Sequence, residues 1–151
     1  MSTMTVNDFE LPSTGGKTFR LSEQGNKSVV IYFYPKDSTP GCTTEAQQFR
    51  DLHPEFEAAG CIVVGVSRDS LSSHENFKRK QDLPFELLSD SEELLCSQFS
   101  VIKEKKLYGK LVRGIERSTF AIDGSGLLKR EWRGVKAPGH AQEVLEFINS
   151  L

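Results

Sequence analysis

Two uninterrupted apolar runs, Val29-Val30-Ile31-Tyr32-Phe33-Tyr34 and Cys61-Ile62-Val63-Val64-Gly65-Val66, flank one amphipathic segment. Their β-branched and aromatic residues show no polar alternation, as expected of strands covered on both faces. Between them Phe49, Leu52, Phe56 and Ala59 recur at three- and four-residue spacing, which predicts a helix of about four turns. Gly60 supplies its stop. A strand, a helix and a second strand in succession make a crossover with parallel neighbours, so the chain is committed to an α/β sheet.

Other elements extend that sheet. Val6 to Leu11 and Lys17 to Leu21, joined by the turn Pro12-Ser13-Thr14-Gly15-Gly16, predict an N-terminal hairpin, followed by a polar connection from Ser22 to Ser28. After the polar loop Ser67 to Ser72, Ser73 to Gln81 reads as a short, charged helix ended by Pro84, and Phe85 to Leu88 as a short strand. Ser89-Asp90-Ser91-Glu92 then starts a helix that Leu94, Leu95 and Phe99 would dock. The charge run Lys103-Glu104-Lys105-Lys106 reads as a solvated loop. Thr119 to Ile122 and Leu127 to Trp132 flank Asp123-Gly124-Ser125-Gly126, a hairpin signal. Ala141, Val144, Leu145, Ile148 and Leu151 describe a final helix. No repeat or linker interrupts residues 1–151, so a single domain is expected.

The formal charge of −2 gives no electrostatic reason for a nucleic-acid or membrane partner. No basic segment followed by an apolar run opens the chain, and no stretch approaches a membrane span. A cytoplasmic location is the default expectation. Three cysteines at irregular spacing, without a C-x-x-C pair, read as free intracellular thiols rather than a disulfide framework. His53, His74 and His140 are far apart among polar residues and are expected on the surface, so no metal or other cofactor is assigned.

The chemistry is expected where the first apolar run ends. Pro35 and Pro40 bracket a loop of turn residues, and Pro40-Gly41 delivers the chain to the helix, with Cys42 in or just before its first turn. Unpaired N–H groups and the positive end of the helix dipole favour an anionic sulfur there. Thr39, three residues before Cys42, offers a hydroxyl as donor or cap, and Glu45, one turn after it, a carboxylate that also complements the dipole. Pro35 ends the strand and stands where it would shield the sulfur. Trp132 reads as core packing.

Pro35-x-x-x-Thr39-x-x-Cys42 resembles the active-site signature of peroxiredoxins, and Tyr34-Pro-Lys-Asp-x-Thr-Pro-Gly-Cys-Thr-x-Glu45 that of the peroxiredoxin Q, or bacterioferritin comigratory protein, subfamily. The likeness continues through Gly65 to Ser70, Leu88-Ser89-Asp90 and Gly114 to Phe120. It implies a thioredoxin-like fold, a central mixed sheet flanked by helices with the N-terminal hairpin as an extension, and the element order above agrees. It also implies reduction of hydrogen peroxide and small organic hydroperoxides through a Cys42 thiolate and sulfenic acid, Arg117 as the catalytic arginine, and a monomer. The chain departs from the subfamily where resolving cysteines usually stand, with Gln47 and Lys78 at those positions. An external thiol, glutathione, glutaredoxin or thioredoxin, is therefore the expected reductant. A bridge to Cys96 is the next alternative, and Cys61 the other internal candidate. Two competing functions share the fold: a dithiol oxidoreductase, whose second cysteine would fall at Glu45, and a redox sensor with little turnover.

Overall fold

A computed structural model describes residues 4–151. Seven strands form one mixed sheet in the order β2-β1-β5-β4-β3-β8-β9. Its centre is β3 (Ser28–Phe33) paired in parallel with β4 (Cys61–Ser67), which is parallel in turn to β5 (Glu86–Ser89). On the other side of β3, β8 (Ser118–Ile122) and β9 (Leu128–Arg133) form the expected antiparallel pair. The N-terminal hairpin is β1 (Glu10–Ser13) and β2 (Lys17–Arg20), and β1 joins the sheet through β5.

The alternation of β3 explains why both faces are apolar. Val30, Tyr32 and Tyr34 belong to one buried cluster, and Val29, Ile31 and Phe33 to the other. The first cluster is closed by α1 (Pro40–Ala58), α2 (Leu71–Gln81) and α4 (His140–Asn149), which contribute Phe49 and Phe56, Phe77, and Val144 and Leu145 respectively. The short α3 (Leu94–Gln98) closes the second with Leu95 and Cys96. Tyr32 stacks on Phe49 with ring centroids 4.6 Å apart and planes 12° from parallel, tying the central strand to the helix that carries Cys42.

Several elements depart from the sequence expectations for identifiable reasons. The first strand starts at Glu10 rather than Val6, while Thr5 makes an isolated bridge to Leu127. The run at Lys103 is no loop: β6 (Ile102–Leu107) pairs along its length with β7 (Lys110–Ile115) as a separate two-stranded ribbon. Both faces of that ribbon are largely exposed, so alternating lysines satisfy a strand as well as they would a loop. Leu94 and Leu151 lie exposed rather than docked, and Ala59 sits in solvent at the end of α1. His74 and His140 are buried and His53 half-buried, against the surface placement expected for all three. Their polar sequence neighbours hid helix faces turned inward.

Gly65 on β4 stands opposite Tyr32, and a Cβ there would lie 2.8 Å from the Tyr32 ring and 2.9 Å from Leu87. Gly65→Ala should therefore displace the ring that supports Phe49, and urea unfolding should show a loss of about 1–3 kcal/mol.

Candidate active site

The chain leaves β3 at Phe33, crosses a short loop and enters α1 with Pro40 at the first helical position, where its missing N–H costs nothing. Thr39 is the N-cap residue in extended conformation, and its carbonyl accepts the N–H of Thr43 at 2.9 Å. Its hydroxyl turns back to donate to the Lys36 carbonyl at 2.9 Å and does not cap the helix. Cys42 is the third helical residue, so it occupies the turn whose N–H groups lack intrahelical partners. Only 1% of Cys42 is exposed.

Three predicted residues converge. Cys42 and Glu45, three apart on α1, face one side of the helix, and Arg117 reaches them from the link between β7 and β8. Arg117 Nη2 donates to Cys42 Sγ at 3.4 Å, and Nη1 to Glu45 Oε1 at 2.7 Å. The Arg117 carbonyl accepts the N–H of Val135, which fixes its backbone against the segment after β9. Gly41 makes the approach possible, since a Cβ there would stand 3.1 Å from Arg117 Nη2. That role is invisible in sequence, where Pro40-Gly41 reads only as a turn.

Glu45 is fully buried and its Oε2 has no hydrogen-bond partner. Burial pushes its carboxyl up to about 7, against the pull of Arg117, which favours the charged form. Burial alone would lower the Arg117 guanidinium, but Glu45 and Cys42 hold it above its ordinary value.

The remaining site candidates are placed differently. Pro35 is exposed where the chain leaves β3. Cys61 starts β4 level with Ser28, whereas Cys42 follows the opposite end of β3, where Phe33 is level with Val66. Five residues along a strand separate those levels by roughly 17 Å, far beyond the ~7 Å Cα separation a disulfide spans. Burial pushes the Cys61 thiol up to about 12. Cys96 belongs to the cluster on the other face of the sheet from Cys42, and burial together with neighbouring Asp90 raises its thiol well above the ordinary value. Gln47 bonds Gln81, and Lys78 pairs with Glu86.

The loop also carries a buried polar network that the sequence did not signal. Asp37 accepts hydrogen bonds from Tyr34 Oη at 2.6 Å and Ser73 Oγ at 2.8 Å, and its Oδ2 lies 2.7 Å from His74 Nδ1. Ligand atoms of Asp37, Asp69 and His74 lie within 4.8 Å of one another. However, both Asp37 oxygens, Asp69 Oδ2 and both His74 nitrogens already have protein partners, so internal hydrogen bonding accounts for the cluster.

A sulfur at a helix start, bridged by a partly buried guanidinium to a buried carboxylate, is an arrangement suited to attack on an electrophile whose leaving atom gains negative charge. Residues 3–131 match the AhpC/TSA family. The chain belongs to that family. It is 54% identical to the Peroxiredoxin Bcp of Xanthomonas campestris pv. campestris over 95% of this chain and 89% of that protein. It is 49% identical to the Peroxiredoxin Bcp of Bacillus subtilis, over 95% and 92%. The structure of a Xanthomonas campestris bacterioferritin comigratory protein, described for alkyl peroxide reduction, superposes with a TM-score of 0.91 at 51% identity, covering 94% of this chain and 90% of that one. A Xylella fastidiosa PrxQ gives 0.94 at 45% identity, covering 99% and 96%. The chain is thus a peroxiredoxin of the Bcp/PrxQ kind with the thioredoxin-like fold, a thiol peroxidase that takes a peroxide and a thiol reductant. Among the described residues, no helix is long and apolar enough to cross a membrane.

Because Glu45 holds its proton more tightly folded than unfolded, its stabilising contribution is complete below the ordinary 4.5 and is lost as pH rises through about 7. The stability difference between wild type and Glu45→Gln, from urea unfolding across this range, should therefore fall with rising pH and flatten above it.

Proposed function

We propose that Cys42 is the peroxidatic nucleophile and Arg117 its electrostatic partner. The observation that carries this reading is the guanidinium that bonds the sulfur and Glu45 at once. The Cys42 thiolate attacks one oxygen of the peroxide in line. A sulfur–oxygen bond forms and the O–O bond breaks, leaving a Cys42 sulfenic acid and an alkoxide or hydroxide that takes a proton from solvent. Arg117 and the free N–H groups of the first helical turn stabilise the charge on the departing oxygen. Glu45 keeps the guanidinium in register with the sulfur, Thr39 shapes the loop before the helix, and Pro35 fixes how the chain leaves β3. Hydrogen peroxide and small organic hydroperoxides are the substrates this chemistry accepts.

The reductant in this proposal comes from outside the chain. Cys61 lies at the far end of the sheet, Cys96 beyond it, and neither Gln47 nor Lys78 offers a thiol. A thiol of thioredoxin, glutaredoxin or glutathione attacks the Cys42 sulfenic sulfur, releasing water and forming a mixed disulfide, and a second thiol frees Cys42 by exchange. The chain works as a single-domain monomer in the cytoplasm on this reading.

Peroxide consumption with each of these reductants tests the assignment. Cys42→Ser should abolish turnover, while Cys61→Ser and Cys96→Ser retain it. Arg117→Lys, which keeps the charge but not the planar fork, should slow Cys42 oxidation by roughly 10²-fold. Full activity of Cys42→Ser, or loss in Cys96→Ser of a folded enzyme, would overturn it.

A further inference from the structure

The Asp37 network sits in the loop that delivers Cys42, yet none of its members enters the chemistry above. Its hydrogen bonds constrain where protons lie. His74 Nε2 is 2.9 Å from the Leu88 carbonyl, an acceptor only, so Nε2 carries a hydrogen. His74 Nδ1 faces Asp37 Oδ2, and Tyr34 Oη is also within 3.4 Å of that nitrogen. Tyr34 and Ser73 already donate to Asp37, so one further proton must lie between Asp37 and His74, whichever atom holds it. Without it, a carboxylate oxygen and an imidazole lone pair would face each other in a site where His74 is wholly buried and Asp37 nearly so. Burial alone would raise the Asp37 carboxyl, but the bonds from His74, Tyr34 and Ser73 hold it below its ordinary value.

The backbone held by this pair is strained. Asp37 N–H donates to Asp69 Oδ2, which also accepts from Ser67 Oγ, so Asp37 is fastened through its main chain to the end of β4 as well. The next residue, Ser38, has φ 66°, a left-handed conformation in which a side chain is unfavourable. Such a conformation persists only where the surroundings over-determine it. Ser38 is followed at once by the N-cap Thr39 and the turn that presents Cys42 to Arg117.

We infer that His74 is a positioning residue for the peroxidase reaction: through the proton it shares with Asp37 it holds the Ser38 turn, and so keeps Cys42 seated against Arg117. The functional part of this inference rests on Cys42 being the nucleophile. His74 lies on α2 and Asp37 in the loop before α1, so the pair ties α2 to the segment that leads into the helix start carrying an almost wholly covered Cys42. Release of the pair would uncover Cys42 locally without unfolding the sheet.

The test is mass-mapped alkylation of the three thiols of the reduced protein by N-ethylmaleimide, with Cys42 oxidation by hydrogen peroxide followed in parallel. In His74→Gln and in Asp37→Asn, alkylation of Cys42 should rise by roughly tenfold or more while Cys61 and Cys96 stay protected, as local opening requires. The peroxide reaction should slow by a similar factor. The double variant should go no further than either single one, because both act through one contact. Ser73→Ala, which removes a single donor to Asp37, should give a smaller change of the same kind and serves if the other variants fail to fold. Unchanged Cys42 alkylation would overturn the inference, as would a rise shared by all three cysteines, the mark of general destabilisation. Additive effects of the two substitutions would overturn it too. If wild-type Cys42 proved inert to peroxide, the catalytic reading would fail, while the alkylation pattern would still report whether the pair seats the loop.

Discussion

A guanidinium held between a sulfur and a buried carboxylate is the arrangement on which the site depends. Arg117 brings positive charge to Cys42 while Glu45, one helical turn on, fixes the other side of the fork. Burying such an ion pair is costly, and Glu45 shows the cost directly: Oε2 has no partner and its carboxyl is pushed up to about 7. An apolar side chain in its place would pack as well but would leave Arg117 without an anchor. The pair therefore gives up stability for a defined charge beside the Cys42 sulfur.

The scaffold is arranged to hold that geometry. Glycine at position 65 leaves room for Tyr32 and glycine at position 41 for Arg117, so two missing side chains permit the contacts that α1 and its site rely on. Tyr32 supports the helix through Phe49, and Asp37 ties the preceding loop to β4 and α2. The same sheet keeps the other thiols away. Cys61 is used as packing at its far end and Cys96 on its other face. Cys42 itself is almost wholly covered.

Much of this was legible in the sequence because it depends on patterns that one dimension preserves. Unbroken apolar runs marked β3 and β4, and the Asp123 to Gly126 turn marked the β8–β9 hairpin. The loop from Tyr34 to Cys42 carried both the helix-start argument and the family resemblance, and Arg117 came from the resemblance alone. What escaped depends on contacts between distant segments. His74, flanked by Ser73 and Glu75, reads as a surface residue until α2 turns it towards Asp37, thirty-seven positions away. His140 on α4 likewise meets Thr119 on β8, twenty-one positions away. The lysine-rich β6 carries no apolar face, so only its pairing with β7 reveals a strand.

The most direct measurement of the central claim is the intact mass and free-thiol count of the reduced protein seconds after one equivalent of hydrogen peroxide, with the modified residue mapped. The account predicts one added oxygen on Cys42 and two thiols still free, the oxygen being lost only when an external thiol is supplied. A Cys42 that stays reduced would contradict the proposed catalytic role, and loss of two thiols with no added oxygen would contradict external resolution.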